Sequence, residues 1–344
     1  MTALMARLEL QKLAAALELG EDQLGYLGDL SFDRMREVRE LVTNALHSQH
    51  AHRFGRMAAV SKLVPAAVNA RASTLVGPAL SAQVAGALDP QHAVKLAKAM
   101  KPEFLADVST YLDPGRVQDI VRALPTSVVV PVGKILLQRR AFLTLGRFTA
   151  VVDPEVALTA TEDADGMDLL HLALYTEDRP AIDAIVTRID DERIGQAMAA
   201  AAKAGEFEEA LALMEVLSPT NRARVLEETV RLTDDERNDL LSAVIRTESW
   251  SVLLESLDKV SHDALKLIMN VPATTEAAVF DTVLEQAIKA NRTEVFEAIL
   301  LALDAAHVGV MSTSKVLKGK PFQEWVAKTP GLTERLSGVL SKVG

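Results

Sequence analysis

The sequence predicts an all-α fold, a right-handed α-solenoid of short helices followed by a second block of longer helical repeats. Three observations carry that expectation. A twelve-residue unit is written four times between residues 78 and 125, a 43-residue unit recurs between residues 204 and 303, and no stretch alternates polar and apolar residues as a strand does.

The short copies are 78–89 (PALSAQVAGALD), 90–101 (PQHAVKLAKAMK), 102–113 (PEFLADVSTYLD) and 114–125 (PGRVQDIVRALP), with a degraded fifth from Thr126 (TSVVVPVGKILL). Twelve residues hold one short helix and its turn, so each copy must bury its apolar side on its neighbours. Proline suits the first helical position, where its missing N–H has no partner to lose. Asp89 and Asp113, each directly before a proline, are natural N-caps. Six residues after each start stand Val84, Leu96, Val108, Ile120 and Val132; ten after stand Leu88, Met100, Leu112, Leu124 and Leu136. Those positions fall on one helical stripe.

The phrase LDPQHAVKLAKAMKPEFLADV, followed by LDPGRVQDIVRAL, resembles the intracellular N-terminal domain of MgtE-type magnesium transporters, which repeats L-[DP]-P-x-x-[AV]-x-x-[LIV]. The likeness covers residues 63–150, about a quarter of the chain. It implies a superhelix of short helices, a layout related to that of the flagellar motor switch protein. In the transporters, paired CBS domains and a five-helix pore follow; this sequence shows neither, so the resemblance implies a fold and not transport.

The second block aligns 204–217 (AGEFEEALALMEVL), 247–260 (TESWSVLLESLDKV) and 290–303 (ANRTEVFEAILLAL). Phe207 matches Trp250, and the capping positions Ser218, Ser261 and Asp304 coincide. A period near forty with two or three amphipathic helices is HEAT/armadillo-like. The third copy decays after Leu303, as a terminal capping repeat does.

Three regions follow: N-terminal capping helices (1–62), the twelve-residue array (63–160) and the 43-residue repeats with a C-terminal cap (161–344). Residues 3–30 predict two short helices, the first with a leucine side (Leu4, Leu8, Leu13, Leu17) suited to covering the exposed end of the first array. Ser31 is placed to cap a helix starting at Phe32, and 41–62 reads as one helix. The longest uncharged stretch, 72–88, is 17 residues broken by Gly77, Pro78 and Gly86, which fits a pair of core helices and not a membrane span. Without cysteine there is no disulfide, and the N-terminus lacks the basic-then-apolar pattern of a signal peptide, so a cytoplasmic protein is expected.

Charge is uneven. Residues 1–140 carry 17 basic and 13 acidic side chains, residues 141–304 carry 14 and 32, and residues 305–344 carry 6 and 2. Residues 41–101 hold seven cations against Asp89 alone. Arg53, Arg56, Lys62, Lys95, Lys98 and Lys101 are therefore the candidate partner- or anion-binding residues, the alternative being a solvated polar face. His47 and His50, three apart on a helix, are the candidate metal pair. No carboxylate lies between Glu40 and Asp89, and Arg53 and Arg56 would repel a cation, so an exposed polar face or a pH-sensitive patch competes with metal.

Other motifs fail. Thr161–Asp168 (TEDADGMD) has Thr161 and Leu172 where a calcium loop needs Asp and Glu, and reads instead as a turn capping a helix at Met167. No phosphate loop, zinc-protease or nucleophile-elbow pattern occurs. With aromatics at 4% and a pI near 5.3, nucleic acid is disfavoured. The expected function is a non-catalytic scaffold or adaptor binding a protein partner, with no cofactor. The alternatives are a regulatory module, related to divalent-cation-sensing domains, that acts on a membrane protein in trans, or an enzyme whose site shows no motif.

Overall fold

The computed structural model describes residues 2–17, 19–48, 51–311, 313–329, 331 and 334. It is all-helical, with no strand among the described residues. The chain divides into two compact units, Met1–Ile185 and Val186–Gly344.

Unit 1 opens with α1 (Thr2–Leu17), a 3-10 turn (Glu21–Leu27) and α2 (Phe32–Ser48). Leu10, Leu13, Leu24 and Met35 form their shared core, with Leu17, Leu27, Leu30 and Val38 packed around it. There follow α3 (Ala51–Ser61), α4 (Ala66–Val76), α5 (Pro78–Ala85), α6 (Pro90–Ala99), α7 (Pro102–Ser109), α8 (Pro114–Ala123), α9 (Thr126–Gln138), α10 (Phe142–Phe148), α11 (Pro154–Ala160) and α12 (Gly166–Tyr175). Of the stretch 41–62 read as one helix, 41–48 is helical as the end of α2 and 51–61 is helical as α3, and residues 49–50 lie outside the described residues.

Each repeat helix starts on its proline, as the capping chemistry dictates. Asp89 accepts from the His92 N–H at 3.0 Å and Asp113 from the Gly115 N–H at 3.0 Å. The same device recurs outside the four copies, where Asp153 caps the Pro154 helix and accepts from the Glu155 N–H at 2.9 Å. The helices then pack in a ladder, each against the one two along: α3 on α5, α4 on α6, α5 on α7, α6 on α8, α7 on α9, α9 on α11 and α10 on α12. Glycines make the last crossings close. A Cβ at Gly133 would stand 2.7 Å from the Ala160 Cβ. The segment 161–165 is a turn, and Asp165 caps α12 in a reciprocal box with Asp168.

The N-terminal hairpin is tied to later rungs. Gln11 accepts from the Tyr175 hydroxyl at 2.7 Å, and Asn44 accepts from Arg116 at 2.8 Å, which places α1 and α2 beside α8 and the end of α12. Glu9, 3% exposed, takes Lys12 and Arg39 at 2.8 Å each, and both cations reach on to Glu177, at 3.6 and 3.5 Å. These four groups clasp residues 9–39 to residue 177. Burial alone would raise the Glu9 pKa; Lys12 and Arg39 more than reverse this and hold it below the ordinary carboxylate range.

α13 (Arg179–Arg188) carries the chain across the division between the units. Unit 2 comprises α14 (Asp191–Ala204), α15 (Phe207–Met214), α16 (Pro219–Glu227), α17 (Asp234–Arg246), α18 (Trp250–Leu254), α19 (His262–Met269), α20 (Ala277–Lys289), α21 (Thr293–Ala302), α22 (Ala305–Met311) and α23 (Lys320–Lys328). The 43-residue spacing is kept to the residue: α15, α18 and α21 start at 207, 250 and 293, and α16, α19 and α22 start at 219, 262 and 305. Gly205, Glu248 and Asn291 all adopt left-handed backbone, with φ of 74°, 56° and 52°. In each, the following N–H reaches back to close the helix, on Ala201, Val244 and Ala287 respectively. The third copy holds register beyond Leu303, because Asp304 still caps α22 through the His307 N–H at 2.9 Å.

Candidate interaction surface

α3 and α4 are the first rungs of the ladder, and their exposure sets them apart. On α3, Phe54, Ala58 and Ser61 form the more buried side, at helical spacing; on α4, Asn69, Ala70 and Ser73 do the same. Each helix then carries a second apolar stripe that nothing covers among the described residues. On α3 it is Met57 and Val60 beside Arg53 and Arg56; on α4 it is Val68, Ala72 and Leu75 beside Arg71. Leu63, between the helices, is 85% exposed and Leu75 is 88% exposed. The corner that projects Leu63 is fixed: the Asn69 side-chain amide donates to the Ser61 carbonyl at 2.6 Å and to the Val64 carbonyl at 3.1 Å.

The contrast with later rungs is chemical. The outward positions of α6 are Gln91, Lys95, Lys98 and Ala99, and those of α8 include Gln118, Asp119 and Arg122. A repeat helix has one stripe to bury and a polar side for water. α3 and α4 each have two apolar stripes and, among the described residues, a packed helix two along on one side only.

All six candidate cations are exposed. Arg53 and Arg56 lie on α3, Lys62 just beyond it, Lys95 and Lys98 on α6, and Lys101 at the N-cap of α7. Lys62 bridges Asp89 at 2.9 Å, and Ser61 meets the His92 ring at 3.2 Å, so the end of α3 is tied to the start of α6. The Lys62 ammonium, with the His92 N–H, lowers the Asp89 pKa. The other five form no ion pair among the described residues, whereas Arg34, Arg36, Arg116, Lys134, Arg139 and Arg140 each pair with a carboxylate. The side chains of His47 and His50 lie outside the described residues; His52 is exposed.

The apolar half of this surface is missed when 72–88 is read as a pair of core helices. α4 is half bare, with Val68, Leu75 and Val76 exposed. A signal was present: Val68, Leu75 and Val76 are more apolar residues than one stripe beside Ala70 accommodates. The clasp also had a signal, since Glu9 and Lys12 interrupt the leucine side of α1.

Titratable groups elsewhere serve packing. Burial, with the nearby Asp191 charge, raises the Glu228 carboxyl despite its pairing with Arg231, in a niche that Gly195 keeps open. Among the described residues no group of three or more His, Asp or Glu side chains is placed to hold a metal ion, and no helix is long and apolar enough to cross a membrane. No protein-family model, curated protein or solved structure matches the chain.

Proposed function

We propose that this chain is a non-catalytic helical scaffold or adaptor in the cytosol, and that it receives a protein partner on the α3–α4 surface. The observation that supports the reading is the second apolar stripe on each of these helices, left bare at the first rungs of a ladder whose next rungs have a neighbour on either side. Exposed apolar patches of this kind, rimmed by polar residues, mark protein contact sites. The likeness of residues 63–150 to MgtE-type intracellular domains fits an array that presents a surface.

The test is affinity capture from native lysate with the wild-type chain and with Leu63→Asp/Leu75→Asp, after matching their circular dichroism and melting temperatures. A partner retained by the wild type and lost from the variant is the expected result. Identical captured proteins from both would overturn the assignment.

A further inference from the structure

We propose that the occupant of this surface is an acidic amphipathic helix of a partner protein; the inference rests on the scaffold reading and specifies its partner. Two independent features point to such a helix.

The first is the ladder. The rungs α5, α6, α7 and α9 each have a helix two along on both sides, so a rung bare on one side is a slot shaped for a helix. The chain's own candidates, α1 and α2, are committed elsewhere by the Glu9–Arg39–Glu177 clasp and by Gln11 on Tyr175. α4 has 11 residues, so an occupant laid along its bare side needs roughly three turns, about 16 Å, to cover it.

The second is charge. From residue 41 to residue 88 there are four cations, Arg53, Arg56, Lys62 and Arg71, and no carboxylate. Lys62 is already paired with Asp89, which leaves three arginines flanking the apolar stripes. Arginine keeps its charge at every relevant pH and takes a carboxylate through two parallel hydrogen bonds. A second copy of the same surface is a poor occupant, because two-fold pairing sets these cations against each other. A lipid bilayer is disfavoured by the residue types: the bare positions are Met, Val, Ala and Leu, without the exposed Trp or Phe that interfacial helices favour.

The probe is a fluorescein-labelled peptide of about 14 residues with leucines at helical spacing and glutamates on the opposite side, with a lysine-for-glutamate counterpart. Fluorescence anisotropy on the full chain should show saturable binding of the acidic peptide only. Arg53→Glu/Arg56→Glu should weaken it at least tenfold, and Arg53→Gln/Arg56→Gln by less. Raising salt from about 0.05 to 0.5 M should weaken it further, since exposed charges are screened. Equal binding of both peptides, no binding of the acidic one, or indifference to the arginine changes would overturn the proposal. So would co-sedimentation with phosphatidylcholine–phosphatidylserine vesicles that Leu63→Asp/Leu75→Asp abolishes while the acidic peptide fails to bind. If the peptide fails but that double variant still loses a captured partner, only the acidic-helix proposal falls; if the capture is also unchanged, both readings fall.

Discussion

Gly146 lies directly against the backbone of Tyr175. A Cβ at position 146 would stand 2.5 Å from the Tyr175 carbonyl carbon and 2.8 Å from the Thr176 nitrogen, so α10 and α12 cross through the absence of a side chain. Backbone cannot swing aside as a flexible side chain does. The Gly146→Ala variant should therefore lose about 1–3 kcal/mol of stability, the usual cost of overpacking. Gly55, in an exposed stretch of α3 where an added methyl would meet nothing within 4 Å, is the control. Gly55→Ala should gain about 0.5–1 kcal/mol from helix propensity. Urea denaturation of the pair measures both signs.

The left-handed residues make a second prediction. Gly205 holds this conformation without penalty, whereas Glu248 and Asn291 hold it with a side chain. Left-handed backbone costs an ordinary residue about 1–2 kcal/mol, and Asn less. Glu248→Gly should raise stability by about 1 kcal/mol, and Asn291→Gly by a smaller amount. Gly205→Glu should cost about 1 kcal/mol, and melting curves should rank the three in that order.

The clasp sets a dependence on pH. Because Lys12 and Arg39 outweigh burial at Glu9, its folded pKa lies below its unfolded one. Its contribution is thus present above the unfolded value and is lost as pH falls through the folded one. Glu9→Gln leaves Lys12 and Arg39 buried with Glu177 as their remaining ion-pair partner among the described residues and should cost about 3 kcal/mol near neutrality. The deficit should shrink as pH falls through the acidic range, and urea midpoints of both proteins across pH 3–7 measure the convergence.

Charge on α6 should matter little to folding. Lys95 and Lys98 are exposed, as is Lys101 at the α7 N-cap, and none of them forms an ion pair among the described residues. Lys95→Glu/Lys98→Glu/Lys101→Glu should leave the melting temperature nearly unchanged, since such exposed charges contribute well under about 1 kcal/mol each. The Asp89→Ala change, by contrast, removes a cap and should cost about 1 kcal/mol. Thermal melts read side by side distinguish surface from cap.

The legible parts of the fold were those set by neighbours in sequence. Prolines and caps mark where helices start, so Pro90, Pro102 and Pro114 located three helices to the residue, and the serine caps at 218 and 261 located two more. What depends on distant residues was not legible. Nothing near Glu9 or Arg39 in sequence names Glu177, 138 residues beyond Arg39, as their common partner. The cations of the candidate surface were visible in the composition. Its apolar half was legible only as an excess of apolar residues on α4; which of them stay bare was not, because exposure is a property of what fails to pack, and Leu75 reads in sequence like any buried leucine.

The packing of helices on the second one along limits how far any local change is felt. News of a substitution on α7 reaches α5 and α9, on which it packs, before more remote rungs. Such a chain can gain or lose a pair of rungs and rejoin with its seams intact, much as a strip of hooks can be cut between any two. The ties from the N-terminal hairpin, above all the clasp from Glu9 and Arg39 to Glu177, are the exception, because they fix the distance between remote points on the strip. They make the first unit a thing of fixed length, in which a rung added or removed between residues 51 and 175 would pull the fastener out of reach.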